Sequence, residues 1–192
     1  QFNTVNIMEL GIWGDSITYG GSSEGWVGLL RKHLSPQEID VYNRGICGDT
    51  SEDILKRFDV EANAIEPQTI IFAVGINDSK HPKGQSANKV SLEKFEENMD
   101  HLIVSAQTKS KRVLIIGLTE VDESITSTFG SKFFNTDIYR YDDALSTIAQ
   151  KKGLEFIPMR GTLDVGVDLE DGIHPTIRGY AKMFEVIATS FK

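Results

Sequence analysis

The chain has 192 residues, 40% of them hydrophobic, and 20 Lys+Arg against 28 Asp+Glu give a formal net charge of −8. That balance excludes a nucleic-acid binder, whose phosphate contacts need a basic face, and a chain this long can bury roughly 70% of its unfolded surface without covalent staples. Cys47 is the only cysteine, so neither an internal disulfide nor a cysteine-rich zinc site is available; within "GICGDT" it reads as a buried small residue.

The opening "QFNTVNIMEL" lacks the basic-then-apolar pattern of a signal peptide, and a cytoplasmic location is expected, although a removed signal would leave no trace. A first strand is predicted over 8–13 (MELGIW), diluted by Glu9 and Gly11, and a helix over 24–34. A second strand at 39–43 (IDVYN) leads to a helix at 51–58. The third strand, 69–74 (TIIFAV), and the fourth, 112–117 (RVLIIG), are nearly continuous aliphatic runs, as central parallel strands covered on both faces require. Between them, Leu92, Phe95, Met99, Leu102, Ile103 and Ala106 share one face of a helix over 91–107. The basic "KSKR" at 109–112 reads as a solvated loop. A helix at 134–151 and a strand at 153–157 (GLEFI) follow. In the last helix Ile177, Tyr180, Ala181, Phe184, Ile187, Ala188 and Phe191 form the buried face, with Pro175 in the first turn. No apolar run approaches the ~18 residues of a membrane span.

Strands alternating with helices predict a three-layer α/β/α sandwich, a single domain over 1–192. The natural arrangement is a flavodoxin-like five-stranded parallel sheet in the order 2-1-3-4-5. In such a sheet the loops that follow strands share one rim, and ligands bind there. Those loops read "GDSIT", "NRGICGDT" and "GINDS", and after the fifth strand "EDGIHPT". Ser16, Gly48, Asn77, Asp171 and His174 therefore converge on one edge. Acyl transfer needs such a set. A serine becomes nucleophilic when a histidine takes its proton, an acceptor fixes the imidazole tautomer, and rigid donors hold the oxyanion. Asp171, three residues before His174 in a glycine-containing turn, is able to fold back onto the ring. Each piece has a plainer reading as well. Ser16 could cap a helix, Asn77 could make a strand-exit turn, Gly48 could supply a positive φ, and His174 could cap the last helix.

The blocks "GDSIT" (14–18), "NRGICGDT" (43–50), "GIND" (75–78) and "DGIHP" (171–175) resemble those of the GDSL-type esterases and lipases of the SGNH hydrolase superfamily. The resemblance spans most of the chain and implies roles position by position. Ser16 would be the nucleophile, and its own N–H would share the oxyanion hole with the Gly48 N–H and the Asn77 side chain. His174 would be the base and Asp171 its orienting partner. It also implies hydrolysis of carboxylic esters of short to medium acyl groups through an acyl-enzyme, without a cofactor or metal. Ile17 replaces the leucine of the family's name, and the G-x-S-x-G elbow of another hydrolase class is absent.

Asp15, Asp49 and Asp78 are expected to brace loops at the rim. His33, His81 and His101 follow no ligand spacing, and the acidic run 164–171 is not a calcium loop. The long segment 119–135 lies on the same rim, and Phe129, Phe133 or Phe134 is expected to help form the acyl or alcohol pocket; equally, these aromatics could pin the loop. The partner expected is a small-molecule ester. Sugar O-deacetylation and thioester cleavage are alternatives at the same site. From a different class, a flavin-binding flavodoxin-like protein could use "GDSITYGGS" as a phosphate loop. Against it, Asp15 places negative charge where the phosphate would sit, and Asn77 and His174 would have no task.

Overall fold

The structure is a computed structural model that describes residues 8–21, 23–125 and 130–192. Five strands, β1 (Met8–Gly14), β2 (Ile39–Gly45), β3 (Thr69–Ala73), β4 (Arg112–Ile116) and β5 (Glu155–Ile157), form one parallel sheet in the order β2-β1-β3-β4-β5. This is the order expected from the sequence. Gly14 stands opposite Gly45 on one side and Ala73 on the other, so the loops that leave β1, β2 and β3 start at the same height.

The helices are α1 (Ser16–Tyr19), α2 (Gly25–Leu34), α3 (Ser51–Ile65), α4 (Ile76–Ser79), α5 (Leu92–Lys109), α6 (Asn135–Lys152) and α7 (Ile177–Ile187). They cover both faces of the sheet: α2 packs on α7, while α3, α5 and α6 pack in series. Successive residues Ile70, Ile71 and Phe72 are all fully buried, as are Leu114 and Ile115. A strand covered on both faces has no outward side for a polar residue, which is why these runs do not alternate. Trp13 sets its ring edge-on to Phe58, with centroids 4.8 Å apart, and ties β1 to α3.

Four local expectations need correction. Helix α3 continues to Ile65, well past residue 58, because Ile54, Phe58 and Ala62 keep one buried stripe under an otherwise polar helix. Its start is fixed by a capping box between Thr50 and Asp53. Helix α7 begins after Thr176, whose side chain accepts from Gly179 N, so Pro175 precedes the helix instead of sitting in its first turn. Ile177, the first helical residue, is 75% exposed, and Gly179, Tyr180, Met183 and Ile187 are the buried residues of α7. Cys47 is exposed and not buried, because β2 ends at Gly45 and residues 46–48 stand beyond the sheet edge as a turn.

Candidate active site

The turn after β1 is made by Asp15. It caps α1 from an extended conformation, and its Oδ1 accepts from Ile17 N at 2.9 Å. The chain reverses there, and Ser16 becomes the first residue of a single helical turn at the sheet edge. The turn lies directly on β2. A Cβ at Gly45 would come within 2.4 Å of Tyr19 N and 2.9 Å of Asp15 O, so a larger residue would push the turn away. Asn43 adds a polar clasp: its Nδ2 donates to Thr18 O and its Oδ1 accepts from Gly45 N, both at 2.9 Å.

His174 arrives from the opposite end of the sequence. Asp171 Oδ1 accepts from His174 N at 2.9 Å and from Ile173 N at 3.1 Å, and Oδ2 lies 2.7 Å from His174 Nδ1. Buried Asp168 fastens this loop to α7, accepting a charge-assisted hydrogen bond from Lys182 and forming an ion pair with Arg178. A carboxylate can only accept, so the ring proton belongs on Nδ1 and the Nε2 lone pair faces outward. Nε2 lies 2.8 Å from Ser16 Oγ. Partial burial by itself would raise the Asp171 carboxyl, but the hydrogen bonds from His174 and Ile173 outweigh it and hold the group below the usual carboxylate range.

Two further loops complete the edge. Gly48 has φ +83°, in the left-handed region that favours glycine, and stands exposed at the rim. Arg57 braces this loop from beneath, bonding Asp49 at 3.0 Å, Glu61 at 2.7 Å and Arg44 O at 2.8 Å. Asn77 lies in α4 and is 6% exposed. Its Oδ1 accepts from Lys80 Nζ at 3.0 Å. An ammonium offers no acceptor, so this contact assigns the amide's oxygen to the lysine and leaves Nδ2 the donor end. The neighbouring Asp78 anchors α4 by accepting from Ser51 N and Ser51 Oγ, and Asn98 Nδ2 in turn donates to Ser51 Oγ. Burial pushes Asp78 up to about 6 and Asp15 up to about 7. Asp15, Asp49 and Asp78 thus brace the rim as expected.

Ser16, Gly48, Asn77 and His174 line one cleft of about 360 Å³ together with Phe133 and Lys80. Of the three phenylalanines proposed for a pocket, Phe133 is there. Phe134 is not: in its extended backbone the neighbouring side chain turns the other way, and its ring meets His81 edge-on at 5.0 Å. Phe129 lies outside the described residues. Lys80 was missed by motif reading; the available signal was its place three residues after Asn77, where it follows the end of α4. Among the described residues no group of three or more His, Cys, Asp or Glu is placed to hold a metal ion, and no helix is long and apolar enough to cross a membrane.

A family model described as GDSL-like Lipase/Acylhydrolase matches residues 12–182. Esterase TesA of Pseudomonas aeruginosa is 24% identical over 187 residues, 93% of this chain and 85% of that protein. Among solved structures, the lipase/acylhydrolase from Enterococcus faecalis superposes with a TM-score of 0.83 at 22% identity, covering 96% of this chain and 95% of that one. Axe2, an acetylxylan esterase from Geobacillus stearothermophilus, gives 0.78 at 19% identity, covering 96% and 95%.

Proposed function

The chain belongs to the GDSL-like lipase/acylhydrolase family, and on that footing we propose how its residues divide the work of a carboxylic ester hydrolase. Ser16 Oγ attacks the acyl carbonyl while His174 Nε2 takes its proton. Asp171 keeps the imidazole in the required tautomer and stabilises the imidazolium that forms. The oxyanion is received by the N–H groups of Ser16 and Gly48 and by Asn77 Nδ2. Collapse of the tetrahedral intermediate expels the alcohol, which takes the proton from His174. Water then repeats the cycle on the acyl-enzyme, with His174 again as base.

The observation that carries this reading is the 2.8 Å contact between Ser16 Oγ and His174 Nε2, two residues 158 positions apart. A cap or a turn former has no need of a histidine brought from the far end of the chain. The cleft volume supports acyl groups of short to medium length. Acetylated sugars are the second substrate class to assay, since a structural neighbour is named an acetylxylan esterase.

Replacing Ser16 by Ala is expected to lower kcat on an activated aryl acetate at least ~10³-fold, and His174→Ala to match it. The melting temperature of both variants should stay close to that of the parent. A fluorophosphonate should label the parent at Ser16 alone. Undiminished turnover by the Ser16→Ala variant would move the nucleophile elsewhere.

A further inference from the structure

One wall of the cleft has a charge opposite to that of the chain. Residues 80–91 include Lys80, Lys83 and Lys89 and no Asp or Glu, and residues 130–136 add Lys132, again with no acid. The two segments are joined, since His81 and Lys132 exchange backbone hydrogen bonds of 2.8 and 2.9 Å and Lys89 N donates to Lys80 O at 2.7 Å. Across the rest of the protein most cations are matched: Arg57, Arg112, Arg160 and Lys182 each meet a carboxylate. None of the four wall lysines forms an ion pair among the described residues. Residues 1–7, 22 and 126–129 contain no acid that could supply one.

Lys80 is the member that reaches the cleft. Its Nζ donates to the neutral Asn77 Oδ1 at 3.0 Å and lies 6.0 Å from the Phe133 ring centroid. Orienting an amide needs one donor, and a neutral side chain would serve. An ammonium has three, and a half-buried one without an ion-pair partner loses hydration that the Asn77 oxygen and the more distant carboxylates of Asp15, Asp78 and Asp53 return only in part. That loss is the main reason its pKa lies below the ordinary lysine range. The missing anion is therefore to be sought in the substrate. We propose that Lys80 determines specificity for esters carrying a carboxylate a few atoms from the scissile bond, with Lys83, Lys89 and Lys132 drawing such substrates in. This rests on the proposed role of Asn77. If Asn77 Nδ2 holds the oxyanion, Lys80 Nζ lies at most roughly 8 Å from it, given ordinary hydrogen-bond lengths. Two or three carbons and one ammonium–carboxylate contact of about 2.8 Å bridge that span.

The carboxylate could sit on the acyl or the alcohol side, and paired near-isosteric substrates separate the two. Monoethyl succinate is compared with ethyl succinamate for the acyl side, and acetoxyacetate with acetoxyacetamide for the alcohol side. The parent is expected to favour the charged member of one pair at least tenfold in kcat/KM, with the advantage shrinking between 20 and 500 mM salt, roughly as screening predicts. Lys80→Gln retains a donor for Asn77 and should reduce that ratio below threefold, whereas Lys80→Arg should keep it. A ratio near one for both pairs in the parent overturns the proposal. So does an equal loss on charged and neutral esters in Lys80→Gln, which would confine Lys80 to orienting Asn77. Hydrolysis of the neutral esters that survives Ser16→Ala would instead overturn the proposed mechanism.

Discussion

Asp171 and His174 lie three residues apart, and the aspartate accepts three bonds from Ile173 and His174 with more than a third of its side chain in solvent. Asn77 is built the other way. It is 6% exposed, and the turn that carries it is anchored through Asp78 to Ser51, 27 residues back in the chain, and through Ser51 to Asn98. One arm of the proposed site is local and wet, the other buried and held from a distance. A hydrogen bond exchanged with water contributes little net free energy, while a buried one whose partner is removed leaves a costly orphan. The imidazole is therefore aimed by a short self-contained turn, whereas the amide is aimed by the packing of α3, α4 and α5.

The contrast orders the effects of substitution. Asn77→Ala removes a rigid donor from the buried arm and should lower kcat on an aryl acetate about 10²- to 10³-fold with little change in KM. An equal change in KM and none in kcat would make Asn77 a ground-state binding residue. Asp171→Ala should cost about 10- to 100-fold less than His174→Ala, because water can partly replace an acceptor that is already solvated. A loss as large as that of His174→Ala would show that this arm is not the more tolerant one.

The last effect is on stability, and its sign differs between buried Asp15, which caps the Ser16 turn, and the half-solvated Asp171. Buried Asp15 titrates at about 7 in the fold, against roughly 3.9 in an unfolded chain. Between these values the native state holds more protons than the unfolded state, so this group's contribution falls as pH rises from about 4 to 7. Asp15→Asn keeps an acceptor for Ile17 N and abolishes the buried charge. It should unfold like the parent at pH 4 and be more stable at pH 8 by on the order of 4 kcal/mol. Asp171, held below the ordinary range, works in the opposite sense. Its stabilisation is present above pH 4 and lost on further acidification. Chemical denaturation at pH 4, 6 and 8 tests both signs, and a pH-independent gain in Asp15→Asn would refute the first.

Strand order and the edge bearing the polar loops were legible because both follow from periodicity and handedness, which are local properties repeated along the chain. The aspartate–histidine turn was legible for the same reason, since its bonds span three residues. The choice between Phe133 and Phe134 was not legible because adjacent extended residues point to opposite sides, and only the packing of His81 settles which one enters the cleft. The exposure of Cys47 and Ile177 was equally hidden: each follows from where the body of the molecule ends, not from residue type.

The amino-acid sequence by itself thus determined the parallel sheet, its order and the rim on which Ser16, Gly48, Asn77, Asp171 and His174 gather, because backbone chirality and apolar spacing leave few other solutions. Tertiary structure alone decided that Ser16 Oγ comes within 2.8 Å of His174 Nε2, which end of the Asn77 amide meets Lys80, and that Lys80 lines the cleft without an ion pair among the described residues. The first is a distance between residues remote in sequence, and the other two depend on what the surrounding loops leave beside one short turn. They are fixed by how closely helices and loops pack, and no pattern of neighbouring residues encodes them.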